Sequence, residues 1–373
     1  MKNSNWFNIR QLSLPAGTLA SKPGVRGFPD LPPGSDVLQR LDLSGSGRLL
    51  DVSGSAGLAA LLARRQGNRQ VTVFESSAAA CGCARATHEA DGVTVRAALL
   101  ATEADGQVDT VVLLPPADRG NARVDLEIRA ATAALAPAGR LLLVNHRDQG
   151  AKRYEKLAAG LFRQAEVIRR DGGWRVLDCR EPLGDRESFQ PELGFEAGGF
   201  QLTAVKGTFA AGKLDPGTAQ LLEALGSPER LHGQHVLDLG CGYGLLALTA
   251  ARAGAAVTAI DDDLGAVRST AANAAALGHA ESIAAVHSDL DQALPESERF
   301  DTVLMNPPFH VGKGVRLDLP RAFIATAWRR LKPGGEMWIV ANRALPYESL
   351  LDGFSGWSEV RVAAGFKVLR AVR

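Results

Sequence analysis

Apolar residues in this chain come in short runs, separated at regular intervals by polar or glycine-rich stretches. In the second half, the runs at 235–239, 256–260, 282–286, 301–305 and 336–341 have the length of buried strands. Between them, 244–253, 264–277 and 319–331 carry Ala and Leu over helical lengths. Such alternation predicts a parallel sheet with helices on both faces. Pro333-Gly334-Gly335 predicts a helix end that turns into the next strand. The tail, SEVRVAAGFKVLRAVR, alternates apolar and polar residues around Gly365, which predicts an antiparallel hairpin at the sheet edge.

The first half repeats this pattern. RLLDVSGSAGLAALLARRQGNRQVTVFE (48–75) aligns with HVLDLGCGYGLLALTAARAGAAVTAID (235–261), and VDTVVLLPPADRG (108–120) with FDTVLMNPPFH (300–310). ALAPAGRLLLVNHRDQGAKRYEKLAAGLF (134–162) aligns with RLKPGGEMWIVANRALPYESLLDGF (330–354). Three matches in one order argue for duplication of a whole α/β unit rather than chance likeness. AEVIRRDGGWRVLDC (165–179) is the first unit's edge pair, and the Gly-, Pro- and charge-rich stretch after 180 reads as a linker. The expected organisation is a first domain over 1–185, a linker at 186–200 and a second domain over 201–373.

Length agrees with two domains, since 373 residues exceed one ordinary core. No apolar run reaches the roughly 18 to 20 residues of a membrane span, and no apolar segment with a small-residue cleavage site opens the chain, so a cytoplasmic protein is expected. Cys81, Cys83, Cys179 and Cys241 lack paired zinc spacing, which leaves no expected metal site. The net charge of +1 hides an asymmetry: the first 190 residues hold 25 Lys and Arg against 21 Asp and Glu, the rest 17 against 20. The densest basic stretch, 147–175, contains Arg147, Lys152, Arg153, Lys156, Arg163, Arg169, Arg170 and Arg175. It reads either as a phosphate-attracting surface or as a solvated helix face.

The candidate chemistry lies at the carboxyl ends of the second unit's strands, where open parallel sheets bind ligands. Asp238-Leu239-Gly240-Cys241-Gly242-Tyr243-Gly244 follows the first strand, and its alternate glycines let the backbone turn sharply and approach a ligand closely. Asp261 ends the second strand, where a carboxylate can accept both ribose hydroxyls; Asp262 and Asp263 beside it read as solvated. Ser288-Asp289-Leu290 follows the third strand, placed for an adenine edge. A glycine loop alone suits nicotinamide and flavin enzymes about as well, but GxGxG lacks the last glycine of GxGxxG. The whole constellation resembles the Rossmann-like class I fold of S-adenosylmethionine-dependent methyltransferases, seven strands with the last reversed.

Asn306-Pro307-Pro308-Phe309 follows the fourth strand. A nucleobase amine is a poor nucleophile because its lone pair is delocalised into the ring. An Asn306 side-chain oxygen and a Pro307 carbonyl that each accept one N–H would aim that lone pair at a methyl donor, and such positioning supplies up to about 7 to 11 kcal/mol in the best-oriented systems. Prolines stiffen the segment, and the Phe309 ring offers a stacking face for a flipped base. In isolation Asn306 could cap a loop and Phe309 could be core; their place beside the glycine loop favours the functional reading. His310 could touch RNA or shape the pocket.

VKGTFAAGKLDPGTAQLL (205–222), VLDLGCGYGLLA, NPPFH, LKPGGEMWIVANRALPY and GFKVLRA together resemble the bacterial 16S rRNA guanine-N2 methyltransferases, over essentially the whole chain. The resemblance implies S-adenosylmethionine as cofactor, 16S rRNA or the small ribosomal subunit as partner, and a monomer. It implies base-binding and catalytic roles for Asn306, Pro307 and Phe309. It implies cofactor contacts from Lys213, Asp215, Asp238, Gly240, Gly242, Gly244, Asp261, Asp289, Leu290 and Asn306, with Lys213 and Asp215 closing over the methionine side. It also implies tandem methyltransferase domains of which the first is degenerate. Here Ser53-Gly54-Ser55-Ala56-Gly57 replaces the glycine loop, and Leu114 and Ala117 replace the asparagine and aromatic, while Glu75 keeps the second-strand acid. Three other readings stand beside this one: a sister family acting on 23S rRNA, a protein-glutamine methyltransferase, and a non-enzymatic RNA-binding assembly factor. The glutamine enzymes usually write NPPY after a small helical domain, which Phe309 and the duplicated half disfavour.

Overall fold

The computed structural model describes residues 5–183, 190–308, 310–311, 314–315 and 317–373. They form two compact units, an N-terminal one of Asn8–Pro191 and a C-terminal one of Glu192–Arg373 that also takes in Met1–Phe7.

The N-terminal unit opens with the hairpin β1 (Arg10–Leu14) and β2 (Gly17–Ser21), followed by the short α1 (Ser35–Leu38). Then come β3 (Leu49–Val52), α2 (Leu58–Arg65), β4 (Val71–Glu75), α3 (Ala78–His88), β5 (Thr94–Ala97) and β6 (Val108–Leu113). It finishes with α4 (Asn121–Ala134), β7 (Leu135–His146), α5 (Ala151–Leu161), β8 (Phe162–Asp171) and β9 (Trp174–Pro182). Its seven-stranded sheet has the order β5-β4-β3-β6-β7-β9-β8. Strands β3 to β7 pair in parallel, while β9 runs antiparallel to both β7 and β8.

The C-terminal unit opens with β10 (Glu192–Ala197), β11 (Phe200–Val205), α6 (Pro216–Leu225), β12 (His235–Leu239), α7 (Leu245–Arg252) and β13 (Ala256–Asp261). It continues through α8 (Leu264–Ala276), β14 (Ile283–His287), β15 (Phe300–Met305), β16 (His310–Val311), β17 (Gly314–Val315) and α9 (Asp318–Arg330). Strands β18 (Leu331–Asn342), β19 (Gly356–Ala363) and β20 (Phe366–Val372) complete it. The sheet order, β14-β13-β12-β15-β18-β20-β19, matches the first unit strand for strand. Each is a Rossmann-like, mostly parallel sheet with the expected antiparallel edge pair. Two apolar cores line the C-terminal sheet, one built on Val236, Val257 and Leu304, the other on Leu237, Ile260 and Val303. This split follows from alternate strand residues pointing to opposite faces.

Three features depart from the sequence reading. Residues 186–189 of the expected linker lie outside the described residues, and its second part is no linker: Glu192–Ala197 pairs antiparallel with Phe200–Val205 across Gly198-Gly199. The polar, glycine-rich composition hid the period-two pattern that puts Phe195 and Ala197 against the core. The unit therefore begins at Glu192, not 201, and the hairpin β1–β2 is its counterpart in the first half. Pro333-Gly334-Gly335 lies within β18 as a register shift, because Leu331 already pairs with Phe300 before Glu336 pairs with Thr302. A Cβ at Gly335 would stand 2.9 Å from the Asp301 carbonyl oxygen, so only glycine allows this close passage. The basic stretch 147–175 is not one helix face, since it runs through α5 into edge strand β8.

Candidate active site

The chain leaves β12 through Gly240, Gly242 and Gly244, all in the left-handed region with φ of 82°, 57° and 90°. The backbone N–H groups of Gly240 and Cys241 both donate to the Ile260 carbonyl at the end of β13, at 2.8 and 3.0 Å. A Cβ on Gly244 would lie 2.9 Å from Thr270, whereas one on Gly242 would meet no atom within 4 Å. The loop is thus pressed against α8 at Gly244 and borders open space at Gly242. A ligand that must touch backbone has room there.

Asp261 anchors this loop. One carboxylate oxygen accepts the Gly242 N–H at 2.9 Å, and the other accepts the Asp263 N–H at 2.9 Å. Desolvation pushes its carboxyl up to about 7, and the charges of Asp263 and Asp262 add to the shift. Asp263 is the N-cap of α8 and accepts the Gly265 N–H, while the Asp262 carbonyl accepts a hydrogen bond from His287 Nε2. Asp238 lies beneath the loop, fully buried. Its Oδ2 accepts the Ala247 N–H in the first turn of α7 at 3.0 Å, and its Oδ1 has no hydrogen-bond partner among the described residues. Burial raises it to about 7 as well, with Asp261 adding repulsion. Asp261, held above the carboxylate range beside the open space at Gly242, favours a ligand that brings hydrogen-bond donors or positive charge.

After β14, Asp289 is buried and Leu290 takes a left-handed φ of 51°. The Asp289 Oδ1 accepts the indole N–H of Trp6 at 2.8 Å. Trp6, at the far end of the sequence, belongs to no motif that announces it. Lys213 contributes backbone here, because its carbonyl accepts the Tyr243 hydroxyl at 3.1 Å; its side chain is exposed.

The end of β15 is built around one amide. Asn306 Nδ2 donates to Asp215 Oδ2 at 2.8 Å and to Thr218 Oγ1 at 2.9 Å. The same Asp215 oxygen caps α6 by accepting the Thr218 N–H at 2.8 Å. A carboxylate only accepts, so the amide nitrogen faces Asp215 and the amide oxygen points away from it. Asp215 therefore sits against the asparagine, and Thr218 is a second residue that the motifs do not point to. Its signal is the Asp-Pro-Gly-Thr capping pattern, readable as a helix start at 215–218. Pro307 is buried. Phe309 lies outside the described residues; His310 is described only as part of β16, whose backbone pairs with β17.

The N-terminal unit builds the same positions differently. Asp51 accepts the Ala60 N–H as Asp238 accepts that of Ala247, but its other oxygen is taken by the Ser53 N–H and hydroxyl. Ser53 and Ser55 are fully buried and hydrogen-bonded to each other, so the Ser55 side chain stands where Gly242 leaves space. Glu75 accepts the Ala56 N–H at 2.8 Å. Leu114 is buried, and its carbonyl accepts from Arg26 Nη1 at 3.5 Å. Burial draws the Arg26 guanidinium below its ordinary value, and the charges of Asp118, Glu127 and Glu75 oppose that shift. Pro32, in the turn before α1, and Ser35, the first residue of α1, replace the capping pair, with Ser35 Oγ donating to the Pro32 carbonyl.

A family model described as the methyltransferase small domain matches this chain twice, over residues 16–178 and 199–370. A solved T. thermophilus 16S rRNA N2 G1207 methyltransferase, in complex with AdoMet and guanosine, superposes with a TM-score of 0.89 at 39% identity over 99% of both chains. With the open glycine loop and its two raised acids, these matches define the class as an S-adenosylmethionine-dependent methyltransferase. Among curated proteins, ribosomal RNA small subunit methyltransferase C of Pseudomonas entomophila is 34% identical over 274 residues, 71% of this chain and 79% of that protein. The protein of the same name from Escherichia coli K12 is 32% identical over 291 residues, 75% and 80% of the two chains. The chain belongs to the ribosomal RNA small subunit methyltransferase C family.

Proposed function

We propose that the C-terminal unit transfers a methyl group to the exocyclic N2 of a guanosine in 16S rRNA, the position corresponding to that named for the T. thermophilus enzyme. The observation that carries this reading is the Asn306 amide, whose nitrogen is held by Asp215 and Thr218. Its oxygen is thereby left to accept one N–H of the guanine amine, and the Pro307 carbonyl accepts the other. With both protons engaged, the nitrogen lone pair is turned toward the methyl donor. Bound S-adenosylmethionine supplies an electrophilic sulfonium methyl. Gly240, Gly242 and Gly244 give it backbone access, Asp261 accepts the ribose hydroxyls, and Asp289 with Leu290 frames the adenine. Asp238 acts through the loop and α7, and Lys213 with Asp215 frames the methionine side. Phe309 stacks on the base. The methylated nitrogen sheds its extra proton to solvent, so no side-chain base is required before attack.

The N-terminal unit serves RNA binding. Lys152, Lys156, Arg163, Arg169 and Arg170 have no acidic partner within 4 Å among the described residues, whereas Arg153 and Arg175 are paired with Asp125 and Glu155. This supports a phosphate-facing surface on α5 and β8. The test of the catalytic reading is Asn306→Ala. It should keep S-adenosylhomocysteine affinity within about twofold and lower methyl transfer to small subunits by at least about a hundredfold. Near-normal turnover would refute the amide's role.

A further inference from the structure

The C-terminal unit is discontinuous in sequence, since its first seven residues precede the whole N-terminal unit. That segment ends in a 3-10 turn, Asn5–Phe7, with Trp6 buried. Trp6 belongs to the apolar cluster that contains Leu239, Ile260, Met305 and Leu290. The first three are the residues immediately before Gly240, Asp261 and Asn306, so the indole is part of the core under the carboxyl ends of β12, β13 and β15. The segment is fastened at a second point. Arg329, paired with Asp291 at 2.7 Å, lies 5.9 Å from the centre of the Phe7 ring. Asp291 also accepts from Arg330 at 2.6 Å. The residues on either side of Leu290 are therefore each held: Asp289 by Trp6, Asp291 by two arginines.

We propose that Trp6 is a positioning residue for the cofactor's adenine. Its indole N–H fixes the rotamer of the Asp289 carboxylate and so aims that carboxylate at the 6-amino group. The proposal rests on the cofactor assignment above but not on the RNA substrate. An indole N–H suits this role because it can only donate, and burial removes the water that would otherwise compete for the carboxylate. A residue encoded before the degenerate half thus completes the site in the other half.

The test compares binding of S-adenosylhomocysteine and S-inosylhomocysteine, whose 6-position carries an oxygen in place of the amine, by calorimetry on the full-length protein. Trp6→Phe keeps an aromatic ring in the core and removes the N–H donor together with part of the indole's volume, a packing loss that would weaken both ligands alike and leave their discrimination unchanged. It should weaken S-adenosylhomocysteine binding about tenfold, as expected for loss of a hydrogen bond to a charged group. It should change S-inosylhomocysteine binding far less, so that discrimination between the two falls. Asp289→Ala should abolish the discrimination, and adding Trp6→Phe to it should cost nothing further. Unchanged discrimination in Trp6→Phe, or an equal loss for both ligands, would overturn the proposal. A wild-type protein that binds neither ligand, or an Asp289→Ala variant that discriminates normally, would instead overturn the cofactor assignment. Removal of residues 1–7 is the second variant, and it should reproduce the Trp6→Phe loss of discrimination.

Discussion

Asn306 and Leu114 stand at the same place, after the fourth parallel strand of each unit, and one of them can orient a nucleobase amine while the other only fills space. What makes Asn306 effective is its neighbours. A Cβ at Gly217 would lie 3.0 Å from Asp215 Oδ2 and 3.2 Å from Phe366, so the glycine makes room for the carboxylate that holds the amide. Gly217→Ala should press on Asp215, loosen its hold on the amide and lower kcat by about five- to tenfold in a methyl-transfer assay. The motif residues are legible in the sequence because their types and spacing state their chemistry. Thr218 and Gly217 are legible only as a helix start, not as partners of Asn306, and Trp6 is not legible at all, because its contact with Asp289 spans 283 positions of sequence and leaves no local pattern. For Asp238 the motif implies a ligand contact, and the structure shows the capping bond to α7 that its position under the loop provides.

At the scale of elements, the glycine loop, α7 and the end of β13 share a titration. Asp238 and Asp261 are both raised to about 7 by burial. Between about pH 4 and about pH 7 the folded protein then holds more protons than the unfolded chain, whose carboxyls titrate near 3.9, and stability falls as pH rises across that window. If the ribose hydroxyls donate to Asp261 as proposed, bound cofactor opposes this by favouring its ionised form. The increase in melting temperature caused by saturating S-adenosylhomocysteine should therefore grow from pH 5.5 to about pH 7.5 and then level off. A cofactor-induced shift that is flat or declining over this range would contradict the role given to Asp261. The strands and helices that surround the loop are readable from periodicity, since buried parallel strands are continuous apolar runs. The hairpin β10–β11 is not, because six residues with glycine and three acids nearby look like a linker until Phe195 and Ala197 are seen to face the core.

For the whole molecule, duplication divides the work between two copies of one sheet. The buried Ser53–Ser55 pair fills the N-terminal unit's loop from within. Calorimetry should accordingly return one S-adenosylhomocysteine per chain, and Asp261→Ala should remove that one site without uncovering another. The RNA-binding role proposed for the N-terminal unit rests on its unpaired charge. Replacing Arg169 and Arg170 together with Glu should weaken 16S rRNA binding about tenfold or more and lower its salt dependence, while cofactor affinity stays unchanged. Unchanged RNA affinity in this pair would place the RNA surface elsewhere. The duplication is legible from three aligned segments, and the match of one family model to both halves agrees with it. The central claim is that the C-terminal unit methylates N2 of one guanosine in the small subunit. The direct test is to incubate the protein and isotope-labelled S-adenosylmethionine with undermethylated small and large subunits and to map the label by nuclease digestion and mass spectrometry. The account predicts a single N2-methylguanosine in 16S rRNA; label in 23S rRNA, on a ribosomal protein or at another atom of the base would contradict it.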